Sequence, residues 1–208
     1  MSANEIKKVY LQRKNQIKQR LKEFSQVKGD DLFYELCFCT LTPQSNAFKC
    51  HEGVCLLREK DFINKSFDIK PVLRDKTRFY KNKSNYLIYN KSQYSNIKNQ
   101  IINNHYKQNI EKNKEIREWI VKNVKGLGYK EASHFLRNIG YRNLAILDRH
   151  ILKNLQKLKV INKIPQNLNK NNYLLIEQKF YKFSKKIKIP MDELDLLFWS
   201  IETGRVFK

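Results

Sequence analysis

The chain has 208 residues, enough to bury a sizeable core in one domain or two small lobes. It lacks the run of about 18 apolar residues that a membrane-spanning helix needs, so no membrane partner is expected. Its 42 Lys and Arg against 20 Asp and Glu leave a formal net charge of +22, which points to a polyanionic partner. The abundance of Lys, Asn, Ile and Tyr is also what an AT-rich genome imposes, so the charge alone leaves that partner open. The first residues, Met1-Ser-Ala-Asn-Glu-Ile-Lys-Lys8, lack the apolar core of a signal peptide, and an intracellular protein is expected.

Glycine (six) and proline (four) are scarce, and apolar residues recur at three- and four-residue spacing, both of which favour helices. Residues 4–27 read as a long basic amphipathic helix with Ile6, Val9, Leu11, Ile17, Leu21 and Phe24 toward a core. Gly29-Asp30 ends it, and Asp30 or Asp31 can cap the apolar helix Leu32-Phe-Tyr-Glu-Leu-Cys-Phe-Cys-Thr-Leu41. Cys37 and Cys39 point to nearly opposite sides of such a helix, at about 100° per residue, a poor start for a shared metal. With no Cys-x-x-Cys motif, all four cysteines (37, 39, 50 and 55) read as buried small hydrophobes rather than zinc ligands, and no metal is expected.

Pro43 breaks the chain between two helical runs, and residues 58–74 read as a polar connector. Helices are expected over 81–90, 93–105, 112–123, 129–138, 149–158, 171–187 and 191–202. No sustained period-two alternation marks a sheet, so the expected fold class is all-α.

The most informative stretch runs from Trp119 to Leu152. Gly126 and Gly128 flank Leu127, which would plug a helix-hairpin-helix from inside while the turn amides and the second helix's N-terminus face outward as an anion site. An ordinary corner closed by glycine explains Gly-x-Gly alone. The full pattern, with Ala132 and basic residues around it, favours a DNA phosphate. Lys130 falls in the first turn of the second helix, whose positive end repels a protonated amine. Asp148 follows 18 positions later, where another helix begins. By default it is an N-cap, and a cap aspartate can also face a cleft and stay ionised.

Two segments carry a family resemblance: Lys125-Gly-Leu-Gly-Tyr-Lys-Glu-Ala-Ser-His-Phe-Leu-Arg-Asn138 and Ile146-Leu-Asp-Arg-His-Ile-Leu152. They resemble the HhH-GPD superfamily of DNA glycosylases, and closely the archaeal-type 8-oxoguanine DNA glycosylase/AP lyases. The resemblance looks continuous from about residue 30 to 208 and is weakest around 50–74. It implies two helical lobes with the active-site cleft between them. One spans 31–140 and contains the hairpin at about 112–138; the other combines 1–30 with 141–208.

The resemblance further implies that Lys130 is a Schiff-base nucleophile and that Asp148 assists departure of the base. Gln44 would fill the gap left by a flipped nucleotide, and Phe79 would wedge into the stack. Trp199 would stack on the extruded base, and Lys208 would accept the N7 hydrogen of 8-oxoguanine through its terminal carboxylate. Guanine has no hydrogen at N7, so an acceptor there separates the two bases. Plainer roles remain beside these: a loop polar residue for Gln44, core aromatics for Phe79 and Trp199, a frayed end for Lys208. The expected partner is double-stranded DNA containing 8-oxoguanine, bound by a monomer. No cysteine follows Cys55, so the iron-sulfur cluster of endonuclease III-type members is not expected, nor any other cofactor. A glycosylase for another oxidised base and a non-catalytic hairpin DNA-binding module are the competing readings.

Overall fold

The computed structural model describes residues 2–103 and 109–208. Among these, all regular elements are helices: α1 Ala3–Ser25, α2 Asp31–Leu41, α3 Ala47–Glu59, α4 Lys70–Leu73, α5 Tyr80–Ser92, α6 Tyr94–Asn103, α7 Ile110–Asn123, α8 Tyr129–Asn138, α9 Arg149–Lys157, α10 Lys170–Ile187 and α11 Met191–Thr203. The fold is all-α, as the spacing predicts. Residues 104 and 105, expected in a helix, lie outside the described residues.

Side-chain caps set five of the described helix starts. Ser2 and Glu5 form a reciprocal capping box at α1. Asn46, Asn109, Asp148 and Asn169 each accept amide hydrogens of the helix they precede. The expected Asp30 cap is not made: Asp30 is itself helical in backbone and makes no side-chain cap bond, while Asp31 pairs with Arg58 at 2.7 Å. The connector expected at 58–74 holds the end of α3 and the single turn α4.

α1 buries Ile6, Tyr10, Ile17, Leu21 and Phe24, a stripe at four- and three-residue steps. Leu11, expected in the core, is 69% exposed. It sits one residue off that stripe, and Tyr10 takes the inward place because its hydroxyl donates to Glu193 of α11. Cys37, Cys39 and Cys50 are buried, but Cys55 is exposed, contrary to the expectation for all four. No described helix is long and apolar enough to cross a membrane.

The buried apolar residues fall into two clusters. One gathers α2–α8 around Phe33, Leu36, Phe38, Ile120, Phe135 and Leu136. The other packs α1, α9, α10 and α11 around Ile6, Leu155, Tyr173, Phe180, Leu197 and Phe198.

Charged groups join the two clusters. Arg117 of α7 is fully buried and forms a two-pronged pair with Glu177 of α10, at 2.5 and 2.8 Å. Burial opposes the Arg117 charge, yet Glu177 outweighs it and the guanidinium is held above its ordinary value. Arg137 of α8 pairs through a single contact with Asp195 of α11.

Removing one partner of such a pair leaves a buried charge uncompensated. Glu177→Ala is therefore expected to lower unfolding free energy by about 3–5 kcal/mol in urea titrations. The double change Arg117→Met, Glu177→Leu should recover most of that loss, and a double variant as unstable as the single one would contradict the assignment.

Candidate active site

The hairpin between α7 and α8 is built by three contacts. Asn90 of α5 accepts the Lys125 amide and donates to the Lys125 carbonyl, both at 2.9 Å, fixing the turn's first residue. Gly126 then turns at φ +82, where a Cβ would stand 2.6 Å from the Tyr86 ring. Leu127 is 4% exposed and plugs into the first cluster. Gly128 differs from Gly126: its backbone is extended (φ −88, ψ −170), and it serves as the N-cap of α8 with no side-chain cap bond. Of the two hairpin glycines, only Gly126 needs the positive φ that glycine permits.

Two residues into α8 the Lys130 side chain, 24% exposed, turns into a cleft of about 800 Å³. Its Nζ lies 3.5 Å from the Glu131 carboxylate. Asp148 lines the same cleft from the start of α9, where one of its oxygens accepts the His150 and Ile151 amides at 2.8 Å each. Gln44, Trp199 and Lys208 share the lining.

Gln44 and Phe79 occupy two loops that meet over one buried amine. Both have left-handed backbones, at φ 53 and φ 56. The Lys83 ammonium, only 5% exposed, stands within hydrogen-bond reach (2.7–3.0 Å) of four acceptors for its three hydrogens, the carbonyls of Leu41 and Pro43 and the hydroxyls of Ser45 and Thr77. Thr77 in turn donates to the Leu41 carbonyl, and Ser45 accepts the Arg78 amide. Burial pulls the Lys83 ammonium down to about 8, so it remains a charged donor at neutral pH.

The C-terminal tail folds back over α2 and α3. Phe207 packs on Phe48 (4.6 Å between ring centres) and Trp199 (6.1 Å), and Arg205 stacks over Phe48 at 3.6 Å. The Lys208 ammonium pairs with the buried Glu35 and sits 4.8 Å above the Phe38 ring. Glu35 also accepts from Asn138 at 3.0 Å. The tail is docked rather than frayed, and Trp199 belongs to its aromatic stack.

Comparison with known proteins settles the kinship. Residues 17–189 match a family model described as 8-oxoguanine DNA glycosylase. A Fusobacterium nucleatum protein named 8-oxoguanine DNA glycosylase/AP lyase is 44% identical over 212 residues, covering 99% of this chain and 97% of that protein.

The chain belongs to the 8-oxoguanine DNA glycosylase family.

A Methanocaldococcus jannaschii relative of the same name is 36% identical over 91% of this chain and 89% of its own. The crystal structure of the 8-oxoguanine DNA glycosylase of Thermotoga maritima superposes with a TM-score of 0.86 at 29% identity, covering 99% of this chain and 98% of that one. The Methanocaldococcus jannaschii 8-oxoguanine glycosylase/lyase, solved with a 15mer DNA containing 8-oxoguanine, superposes with a TM-score of 0.83 at 33% identity, covering 98% and 99%.

Within this glycosylase-family fold, five of the expected site residues line one cleft: Gln44, Lys130, Asp148, Trp199 and Lys208. Phe79 does not line it. It stands 54% exposed, stacked with Arg78, which does. Gly126, Leu127 and Gly128 likewise lie outside the lining, at the hairpin. Three cleft-side residues escape sequence reading. Lys83 is one lysine among many, and Glu35 sits in an apolar run with no polar partner nearby in the chain. His134 had a usable signal, because it follows Lys130 by four residues on one helical face.

The hairpin generates a direct test. Gly126→Ala is expected to cost about 1–2 kcal/mol, because an L side chain at positive φ is strained and its Cβ meets Tyr86. Adding Tyr86→Ala should relieve only the contact part. A melting temperature unchanged in Gly126→Ala would show that the turn is not built as described.

Proposed function

We propose that this chain is a bifunctional DNA repair enzyme that excises 8-oxoguanine from double-stranded DNA and then cleaves the strand at the resulting abasic site. The observation that carries this reading is the convergence of Lys130 and Asp148 on one cleft that also holds Trp199 and Lys208. The similarity to named glycosylase/AP lyases along almost the whole chain supports it.

In this reading the chain divides into a lobe over 31–140 and a lobe made of 1–30 with 141–208, and the two apolar clusters support that division. It acts as a monomer, in the cytoplasm or nucleoid where DNA is found. The hairpin amides of Gly126, Leu127 and Gly128 hold a backbone phosphate, and the net charge of +22 supplies affinity through counterion release. The damaged nucleotide rotates out of the stack, at a cost of a few kcal/mol. Gln44 fills the gap and Phe79 wedges beside it, both presented by the loops that Lys83 ties together.

Trp199 stacks on the extruded base, and the Lys208 terminal carboxylate accepts its N7 hydrogen. The Lys130 amine attacks C1′, the bond from C1′ to N9 breaks, and the sugar ring opens to leave an imine on Lys130. Asp148, anchored by two helix amides, balances the positive charge that builds on the sugar. Loss of a C2′ proton from the imine then expels the 3′ phosphate by β-elimination.

Borohydride should trap the wild type on a duplex with 8-oxoguanine opposite cytosine, and Lys130→Gln should give no adduct. Asp148→Asn should slow single-turnover base release by about 100-fold or more. Asparagine caps helices as well as aspartate, so duplex affinity and the melt should hold. Trapping by Lys130→Gln at the wild-type rate would remove the nucleophile assignment. Base release by Asp148→Asn at the wild-type rate would leave that aspartate only its capping role. A protein that binds duplex DNA but is never trapped would be a hairpin binding module.

A further inference from the structure

One turn beyond Lys130, α8 turns a second polar side chain toward the cleft. His134 lines it beside Lys130 and Lys208 and is 7% exposed. Among the described residues, neither of its ring nitrogens has a hydrogen-bond partner. Desolvating two polar atoms without a partner costs folding free energy, and native structures leave few such groups. The ring packs edge-on to Phe38 at 5.7 Å, the same ring that Lys208 covers.

The groups facing His134 define what it can bind. Burial, and then the charges of Arg137, Lys130 and Lys208, hold its pKa well below the ordinary histidine value. At neutral pH the imidazole therefore carries one N–H donor and one acceptor nitrogen and no charge. A neutral, deeply buried ring walled by Phe38 suits a flat neutral base better than a phosphate, which would demand a charged or exposed partner.

We propose that His134 reads the extruded purine by donating a hydrogen bond to its O6 carbonyl. The inference rests on the glycosylase reading above. In that reading the Lys208 carboxylate takes the N7 hydrogen, and O6 adjoins N7 on the same purine edge. Cations on α8 and at the C-terminus favour an acceptor oxygen over a donor amine at that place. Helix geometry puts His134 directly behind Lys130, so the residue that grips the base and the residue that attacks its sugar share one face.

Three duplexes test it: one with 8-oxoguanine, one with 8-oxoadenine, and one with a ready-made abasic site. 8-Oxoadenine keeps the N7 hydrogen and replaces the O6 carbonyl with an amine. His134→Phe preserves a ring of similar shape, and His134→Gln preserves an amide donor. Relative to borohydride trapping at the abasic site, excision of 8-oxoguanine by His134→Phe should fall about tenfold to 100-fold. His134→Gln should lie between it and the wild type. The wild-type preference for 8-oxoguanine over 8-oxoadenine should shrink toward parity in His134→Phe.

Parallel losses of excision and abasic-site trapping, or a retained preference, would make His134 a packing residue and overturn the proposal. Should His134→Phe fail to melt cooperatively, the base preference of His134→Gln decides in the same way. A wild type that is not trapped even at an abasic site would sink the glycosylase reading instead, which keeps the two failures distinct.

Discussion

The geometry of the cleft depends on a buried arginine. Arg117 sits wholly out of water on α7, and Glu177 answers it from α10 with two hydrogen bonds. The same Glu177 oxygen that meets Arg117 also accepts the Ala145 amide at 2.8 Å. Tyr173 closes the arrangement from the same helix: its hydroxyl donates to the Ala145 carbonyl. The short helix-free segment pinned in this way ends at Asp148. Two apolar surfaces could slide past one another, but a two-pronged ion pair has one good register, so the pair fixes where the carboxylate stands relative to α8 and Lys130. Desolvation makes the pair expensive, and its geometric specificity is what that cost secures.

Electrostatics then sort the groups inside the cleft. Lys130, Arg137 and Lys208 bring positive charge, while Asp148 faces them from the start of α9 and Asp195 from α11. Burial pushes Asp195 up, to about 7; Arg137 opposes the rise, and Asp148 and Asp192 add to it. His134, buried and then caught among the cations, stays neutral. In the proposed reading such a pocket would hold an uncharged base beside the Lys130 amine and the amide-anchored Asp148 carboxylate. The exterior does the complementary task, since an excess of lysine attracts DNA irrespective of its sequence.

Much of this was legible in the sequence because it rests on local rules. Helix boundaries followed from periodicity and, at Asp148, from capping. The hairpin followed from Gly126, Leu127 and Gly128, and the two motifs around Lys130 and Asp148 carried the family. What stayed hidden was set by partners distant in the chain. Leu11 and Tyr10 exchange places because Glu193 lies across from Tyr10. Asp31 turns from capping to Arg58. Lys83 becomes a clamp only when two loops close over it, and Glu35 finds Asn138 and the C-terminal lysine from opposite ends of the chain. Periodicity ranks residues by hydrophobicity, and it is silent about which buried polar group will find a counterpart.

The central claim is that a single amine, Lys130, forms the covalent bond to the sugar. The cleft region contains two further lysines of restricted exposure, Lys83 and Lys208, which makes the site of attachment informative. Borohydride-reduced wild-type adduct on an 8-oxoguanine duplex, digested and sequenced by tandem mass spectrometry, locates it directly. The account predicts the deoxyribose remnant on Lys130 and on no other lysine, and a remnant on Lys83, Lys208 or the N-terminal amine would contradict it.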